Sequence, residues 1–405
     1  MKTPVPILYI IDHFHVFSGT ERHLFELVRR IDKAAFKPFV IAFQGSEFLR
    51  RRMADIAVPL RILDISRIYG ARPLKLLFEL RSFIRRENIG IVQTFHTKAD
   101  LYGIALARLS GVPVIISSRR DLAFDRTSKE FYGYKLLNRY VDRILCVSEK
   151  VREFVMREEN IEAQRCAVIH NGIETANFAR RIDPQRERLE LGIGPHVRVV
   201  GMLANFNPIK GHQFFLEACP RILRSVPDTV FVLAGLGPTE TAMRRKAGEL
   251  GVGARVRFVG HNEDISKILS VMDILVAPSL SEGFSNTILE AMYMEKAVIA
   301  TRVGGNPEVV IEGETGILVE PGRSDEIADA VIRLLHDQSQ ILRMGKNARA
   351  LIERRFLIQH MVDRTERLYR TLLRAKGLAV PDSDRAVAVS KALSRGSRAW
   401  PDNGE

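Results

Sequence analysis

The stretch DILVAPSLSEGFSNTILEAM (273–292) runs straight from a strand pattern through a turn into a helix pattern. DILVAPS (273–279) is a short, almost unbroken apolar run, as in strands buried on both faces of a parallel sheet. Gly283 lets the backbone turn tightly. Ser285, Asn286 and Thr287 are helix-capping types, and Ile288, Leu289, Ala291 and Met292 carry the helix onward. A helix start with free N–H groups is a site for phosphate or ligand hydroxyls. Glu282 stands before that start and Glu290 about one turn inside it, which puts the carboxylates on the order of 10 Å apart. They are too far apart to share a proton. Each needs its own partner, and vicinal hydroxyls at two ends of one ligand satisfy both. The plainer alternative makes Glu282 a cap and Glu290 a solvated helix residue.

The same strand-then-helix alternation extends in both directions. Ahead of it lie the strand candidates 5–12, 36–43, 89–95, 112–118, 142–148 and 166–171, separated by amphipathic runs such as LKLLFELRSFIRR. After a charged, Pro- and Gly-bearing segment at 179–196, read as a hinge, strands are expected at 197–203, 229–235, 255–260, 273–279, 297–303 and 316–322. Such alternation predicts an α/β fold of two doubly wound, Rossmann-like domains facing across a cleft, covering 1–185 and 195–355. Helical runs at 324–336, 338–355 and 358–374 follow. The polar tail, 375–405, is expected to be disordered.

The 405 residues are 46% hydrophobic and 27% charged, a soluble globular profile. No run is long and apolar enough to span a membrane, and the N-terminus lacks a full signal-peptide body. Cys146, Cys166 and Cys219 show no metal-type spacing and read as buried reduced thiols, which suits a cytoplasmic location. The net charge of +13 is concentrated in residues 1–190, where 33 Lys and Arg face 23 Asp and Glu. That excess points to an anionic partner: a phosphorylated substrate, an acidic lipid surface or nucleic acid.

In an open α/β sheet, ligands bind beyond the carboxyl ends of the strands. Lys210 follows the strand at 197–203 through a Pro-containing turn, where an ammonium can neutralise a departing diphosphate. Gly19 and Thr20 stand where the first strand turns into a helix. His96 ends the strand at 89–95. Arg119 and Arg120 end the strand at 112–118 and are candidates for an anionic acceptor. Glu308, in GGNPE (304–308), is a helix-capping carboxylate or a partner of residues that touch the ligand.

Residues 1 to about 374 resemble the family-four retaining glycosyltransferases of the GT-B fold. The matching pieces include SGTER (18–22), FHT (95–97), VIHNGIE (168–174), KGH (210–212), VLAGLGP (232–238), SEGFSNTILEAM (281–292), AVIATRVGGNPEVV (297–310) and TGILVEPG (315–322). The resemblance implies sugar transfer from a nucleotide-diphospho-sugar to a glycan or lipid-linked hydroxyl acceptor, with retained configuration and no metal or other cofactor. Its implied catalytic residues are Glu282, His96 and Lys210. Glu282 lies near the donor sugar, Glu290 holds the ribose, and Lys210 stabilises the leaving diphosphate. Donor contacts fall on Gly19, Thr20, Asn205, Gly283, Phe284, Ser285, Asn286 and Thr287. The helix at about 356–374 is implied to cross back onto the first domain. Two departures stand out: Asn205 occupies a position where an arginine is usual, and Ser18-Gly19 replaces a Gly-Gly pair.

Arg50, Arg51 and Arg52, with Arg81, Arg85 and Arg86 on a helix whose other face is rich in Leu and Phe, suggest peripheral contact with an inner membrane face. An epimerase of the same architecture is the rival enzyme. A nucleic-acid binder is the non-enzymatic rival, against which the lack of interleaved aromatics argues.

Overall fold

The computed structural model describes residues 3–14, 19–122, 128–180, 182–262 and 264–381. The first sheet is built from β1 (Val5–Phe14), β2 (Phe36–Gly45), β3 (Leu60–Ile62), β4 (Ile91–Phe95), β5 (Val114–Arg119), β6 (Arg143–Cys146) and β7 (Cys166–Val168). Between these strands run α1 (Gly19–Arg30), α2 (Glu47–Asp55), α3 (Ala71–Arg86), α4 (Thr97–Ser110), α5 (Ser128–Leu137) and α6 (Glu149–Glu158). After α7 (Pro184–Glu190), the second sheet takes β8 (Arg198–Leu203), β9 (Thr229–Ala234), β10 (Val256–Gly260), β11 (Ile274–Ala277), β12 (Ala297–Thr301) and β13 (Gly316–Val319). Its helices are α8 (His212–Ser225), α9 (Glu240–Glu249), α10 (Ile265–Val271), α11 (Asn286–Tyr293), α12 (Ser324–His336) and α13 (Gln338–Arg355), and α14 (Ile358–Ala375) closes the described helices.

The strand orders are β3-β2-β1-β4-β5-β6-β7 and β10-β9-β8-β11-β12-β13. Every pairing in the second sheet is parallel. The order reverses once in each sheet, between β1 and β4 and between β8 and β11. Crossovers leave a crevice beyond the carboxyl ends of such a strand pair. The segments that follow these four strands carry Gly19, His96, Lys210 and Glu282 respectively, so chain order alone brings the candidate residues to the two switch points. β8 and β11 are in register through Val200↔Ile274 and Gly201↔Leu275.

Both sheets are buried. Ile7 to Ile11, Val199, Val200, Val230 to Leu233 and Val298 to Ala300 are nearly inaccessible. This is why these strands read as continuous apolar runs rather than as alternations. In the second sheet, Phe215, Leu216 and Ile222 of α8 and Ile327, Val331 and Leu334 of α12 share one core cluster with the strands.

By compactness the described residues form two units: those within 1–118, 127–144 and 362–381, and those within 119–126 and 145–361. This division differs from the sequence boundary at 185–195, because α6 and the segment after β7 contact the β12–β13 loop, as described below. The supposed hinge also holds an ordered helix. Asp183 caps α7, with Pro184 at its first turn. Arg188 of α7 donates to the carbonyls of Val271 and Val197 and pairs with Asp273 at 3.0 Å.

In the first unit, Tyr369 of α14 is fully buried, packs edge-on against Phe36 and donates its hydroxyl to Gln93. Glu366 accepts from the Asp32 amide at 2.8 Å. The expected disordered tail begins with structure: Val380 is buried and the Pro381 carbonyl accepts from Arg370. The rest of that tail, 382–405, lies outside the described residues, as does Ser18. All three cysteines are free and buried.

Candidate active site

In the second unit the chain leaves β8, passes through Asn205 and makes one 3-10 turn over Pro208–Lys210. It enters α8 through Gly211, whose left-handed φ of 75° ends the turn. That turn is tied to the loop after β11 because the Leu280 amide donates to the Ile209 carbonyl at 2.7 Å. The result is an ion pair: Lys210 Nζ donates to Glu282 Oε2 at 2.7 Å, with both side chains largely buried. Ser279 Oγ approaches the same oxygen at 3.4 Å. Lys210 and Glu282, 72 residues apart, thus form one charged centre at the switch point.

Immediately after Glu282, Ser285 caps α11, its Oγ accepting from the Ile288 amide. The free N–H groups of this helix start carry partial positive charge. Glu290 is 3% exposed. That removes the solvated-helix alternative: a carboxylate so buried on an apolar helix is held by its surroundings. Asn205 is exposed beyond β8 and Thr287 is partly accessible in the first turn of α11.

The loop bearing Glu282 is held by the backbone of its neighbours. A Cβ on Gly304, which has φ +51°, would sit 1.5 Å from the Glu282 carbonyl oxygen. A Cβ on Gly283 would sit 2.0 Å from the Arg120 carbonyl oxygen. The Gly305 amide donates to the Gly283 carbonyl at 3.0 Å. Only glycine permits approaches this close.

Behind the loop lie His170, Asn171 and Phe356, which the sequence does not single out individually. The Phe284 ring packs on His170, with centroids 4.9 Å apart, and on Phe356 at 5.7 Å. Asn171 Nδ2 donates to Asn286 Oδ1 at 2.7 Å. His170 Nε2 lies 2.7 Å from Glu308 Oε2, and the Glu308 carboxylate also accepts from the Glu149 and Lys150 amides that start α6. Of its two anticipated roles, Glu308 fills the first, as it caps α6, and it also holds His170. Burial raises its pKa, but the bonds from His170 and the two amides prevail and hold it below the usual value. These partners lie more than 130 residues apart in sequence, and the one available signal was the HNG triplet at the end of the strand at 166–171. His212, in the first turn of α8, stacks on Phe206 at 4.2 Å. Burial pushes its pKa down to about 4, so it is neutral at pH 7.

Arg119 is not available to an acceptor. It is 1% exposed, and its guanidinium forms a two-point pair with Glu159, through Nε at 3.1 Å and Nη2 at 2.9 Å. At the last residue of β5, in a sheet covered on both faces, the Arg119 side chain meets a buried glutamate rather than a ligand. Arg120, just beyond β5, bonds Asn171 instead.

In the first unit, Gly19 and Thr20 begin α1. His96 joins β4 to α4 with φ 71° and ψ 166°, a conformation that bulky residues avoid. Such strain costs roughly 1–3 kcal/mol and concentrates at functional positions. Beside it, Asp12 accepts from the Lys98 and Ala99 amides at the start of α4. Burial nevertheless raises the Asp12 pKa to about 7.

The description "Glycosyltransferase Family 4" matches residues 17–177, and "Glycosyl transferases group 1" matches residues 195–337. Over 337 residues the chain is 28% identical to the Escherichia coli UDP-Gal:alpha-D-GlcNAc-diphosphoundecaprenol alpha-1,3-galactosyltransferase, covering 80% of this chain and 85% of that one. It is 27% identical to the Bacillus anthracis N-acetyl-alpha-D-glucosaminyl L-malate synthase, covering 80% and 79%. Among solved structures, Anabaena Alr3699/HepE in complex with UDP superposes with a TM-score of 0.80 at 20% identity, over 91% of this chain and 100% of that one. These matches decide against the epimerase and nucleic-acid readings. With two Rossmann-like sheets and a Lys–Glu centre at the switch point of the second, the chain belongs to the family-four glycosyltransferases of the GT-B fold.

Proposed function

We propose that the protein transfers a hexosyl or N-acetylhexosaminyl group from a nucleotide-diphospho-sugar to a hydroxyl of an anionic or lipid-linked glycan, with retained anomeric configuration. The observation that carries this reading is the Lys210–Glu282 pair at 2.7 Å beside the start of α11. Lys210 and the α11 amides suit a diphosphate. Glu282 suits the sugar hydroxyls, and buried Glu290 suits a ribose diol. The bond from the anomeric carbon to the phosphate oxygen breaks as the bond to the acceptor oxygen forms on the same face. The leaving phosphate takes the acceptor's proton. The roles implied for Gly19, Thr20 and His96 belong to the same proposal. The E. coli relative is named for a lipid-diphosphate-linked acceptor, and the basic first half of this chain is suited to such an anion.

Positive charge at the leaving group comes from Lys210 and backbone dipoles, so the reaction needs no metal and proceeds unchanged in EDTA. The deciding experiment is a thermal-shift screen with UDP, GDP, ADP and their sugars. A true donor nucleotide at 100 times its Kd stabilises by about 2.7 kcal/mol. Glu290→Ala abolishes that response. Absence of any nucleotide response in the wild type, or an undiminished one in Glu290→Ala, overturns the reading.

We further propose that the enzyme works against an anionic membrane surface at the cytoplasmic face. No described helix is long and apolar enough to cross a membrane. On α3, however, Leu74 and Phe78 are 58% and 59% exposed one turn apart, with Tyr69 exposed just upstream. Lys75 and Arg85 share the accessible side of that helix. Other candidates are partly neutralised: Arg50 and Arg51 face Glu47, and Arg86 faces Glu87. Apolar side chains framed by cations match an acidic bilayer surface. The protein should sediment with phosphatidylglycerol vesicles, less so as salt rises, and Leu74→Ser/Phe78→Ser should release it. Sedimentation indifferent to salt and to these changes would remove the membrane from the proposal.

A further inference from the structure

Arg120 has an unusual environment. It follows β5, and its carbonyl oxygen lies against Gly283 of the Glu282 loop. Its Nη2 donates to Asn171 Oδ1, while the amide of Asn171 donates to Asn286 Oδ1 at 2.7 Å and approaches the Phe284 carbonyl at 3.5 Å. Its Nε is sealed from solvent and has no hydrogen-bond partner. The guanidinium is thus bonded to a neutral amide, with the field of Asp121 reaching it from the next residue. Burial lowers its pKa to about 10, so it remains a cation at neutral pH.

A desolvated guanidinium with an idle N–H is costly unless an anion completes it. The rest of the loop offers little free positive charge. Lys210 is matched by Glu282, and Asn205, exposed after β8, is neutral. A diphosphate brings at least two negative charges to this region, and a phosphorylated acceptor would bring its own.

We propose that Arg120 is a substrate-binding residue whose guanidinium takes phosphoryl oxygens at the Gly283–Asn286 loop, those of the donor diphosphate, with Asn171 holding the fork in place. This rests on the donor reading given above. Arginine suits the task because its planar fork presents two N–H groups to one phosphoryl group.

The test measures binding of UDP, GDP and ADP to the full chain at two salt concentrations, and the KM of donor sugar and of acceptor, for wild type, Arg120→Gln and Arg120→Lys. Arg120→Gln should weaken nucleoside diphosphate binding about 10- to 100-fold, the range of one charge-assisted contact. Arg120→Lys should recover part of that loss, and the gap from wild type should narrow as salt rises. A purely structural arginine would show neither the lysine recovery nor the salt effect. If diphosphate binding holds and the KM of a phosphorylated acceptor rises instead, the phosphoryl contact stands with the acceptor as its source. Unchanged binding and KM in Arg120→Gln, or equal losses in both variants without salt dependence, overturns the role of Arg120. A wild type that binds no nucleotide overturns instead the donor reading on which it rests. Circular dichroism of each variant separates these results from misfolding.

Discussion

Glu282→Ala should lower kcat for sugar transfer by about 100- to 1,000-fold, the range for removing one preorganised group that acts on the reacting centre. Nucleoside diphosphate binding should hold or tighten in the same variant. The reason is the ion pair. Lys210 is bonded to Glu282 at 2.7 Å, and with the carboxylate gone the ammonium is left for phosphate. A loss of nucleotide binding equal to the loss of kcat would show that Glu282 shapes the loop rather than the transition state. Glu282→Gln separates charge from shape. It keeps the contact with Ser279 and a hydrogen-bond acceptor for Lys210, and should bind nucleotide as wild type while transferring poorly.

The largest loss of stability should come from Glu159→Ala. Arg119 and Glu159 are 1% and 0% exposed at their side chains and bonded at two points. Removing one partner of such a buried pair costs about 3–5 kcal/mol. Replacing both, as Arg119→Met/Glu159→Leu, should return most of that loss, because well-packed apolar groups of similar volume avoid the desolvation penalty. Urea unfolding of wild type, Glu159→Ala and the double variant checks it. A double variant no more stable than Glu159→Ala would mean that the pair also organises the ends of β5 and α6 by other contacts.

The same pair marks where the sequence stopped being informative. The strands were legible because burial on both faces forces continuous apolar runs, and twelve of the thirteen lie within the stretches read as strands or overrun them by one or two residues. The exception, β3, has three residues, too short to carry a period. Pro and charge dominate the α7 segment and give it the look of a hinge, yet Asp183-Pro184 is a helix-start signal in its own right. Glu282, Lys210 and Glu290 were legible from their places at strand ends and on a helix. Arg119 was not: whether an arginine at a strand end faces a ligand or a buried glutamate depends on a partner 40 residues away. The partners of Glu308 were equally hidden, as were His170 and Asn171. Their bonds, with each other or with Asn286, span more than 110 residues, and no local pattern encodes such a pairing.

Both sheets are bordered by short strands. β3 and β7 have three residues each, β13 has four, and β10 has five with a register shift between Phe258 and Gly260. An unpaired edge recruits foreign strands in proportion to the row of free N–H and C=O groups it shows, and a bulge twists even that row out of line. The longest apolar strands, β1 and β2 with ten residues each and β8 and β9 with six, lie inside their sheets. Engineering that lengthens β3 or β13 for stiffness would therefore raise the tendency to self-associate during concentration and refolding.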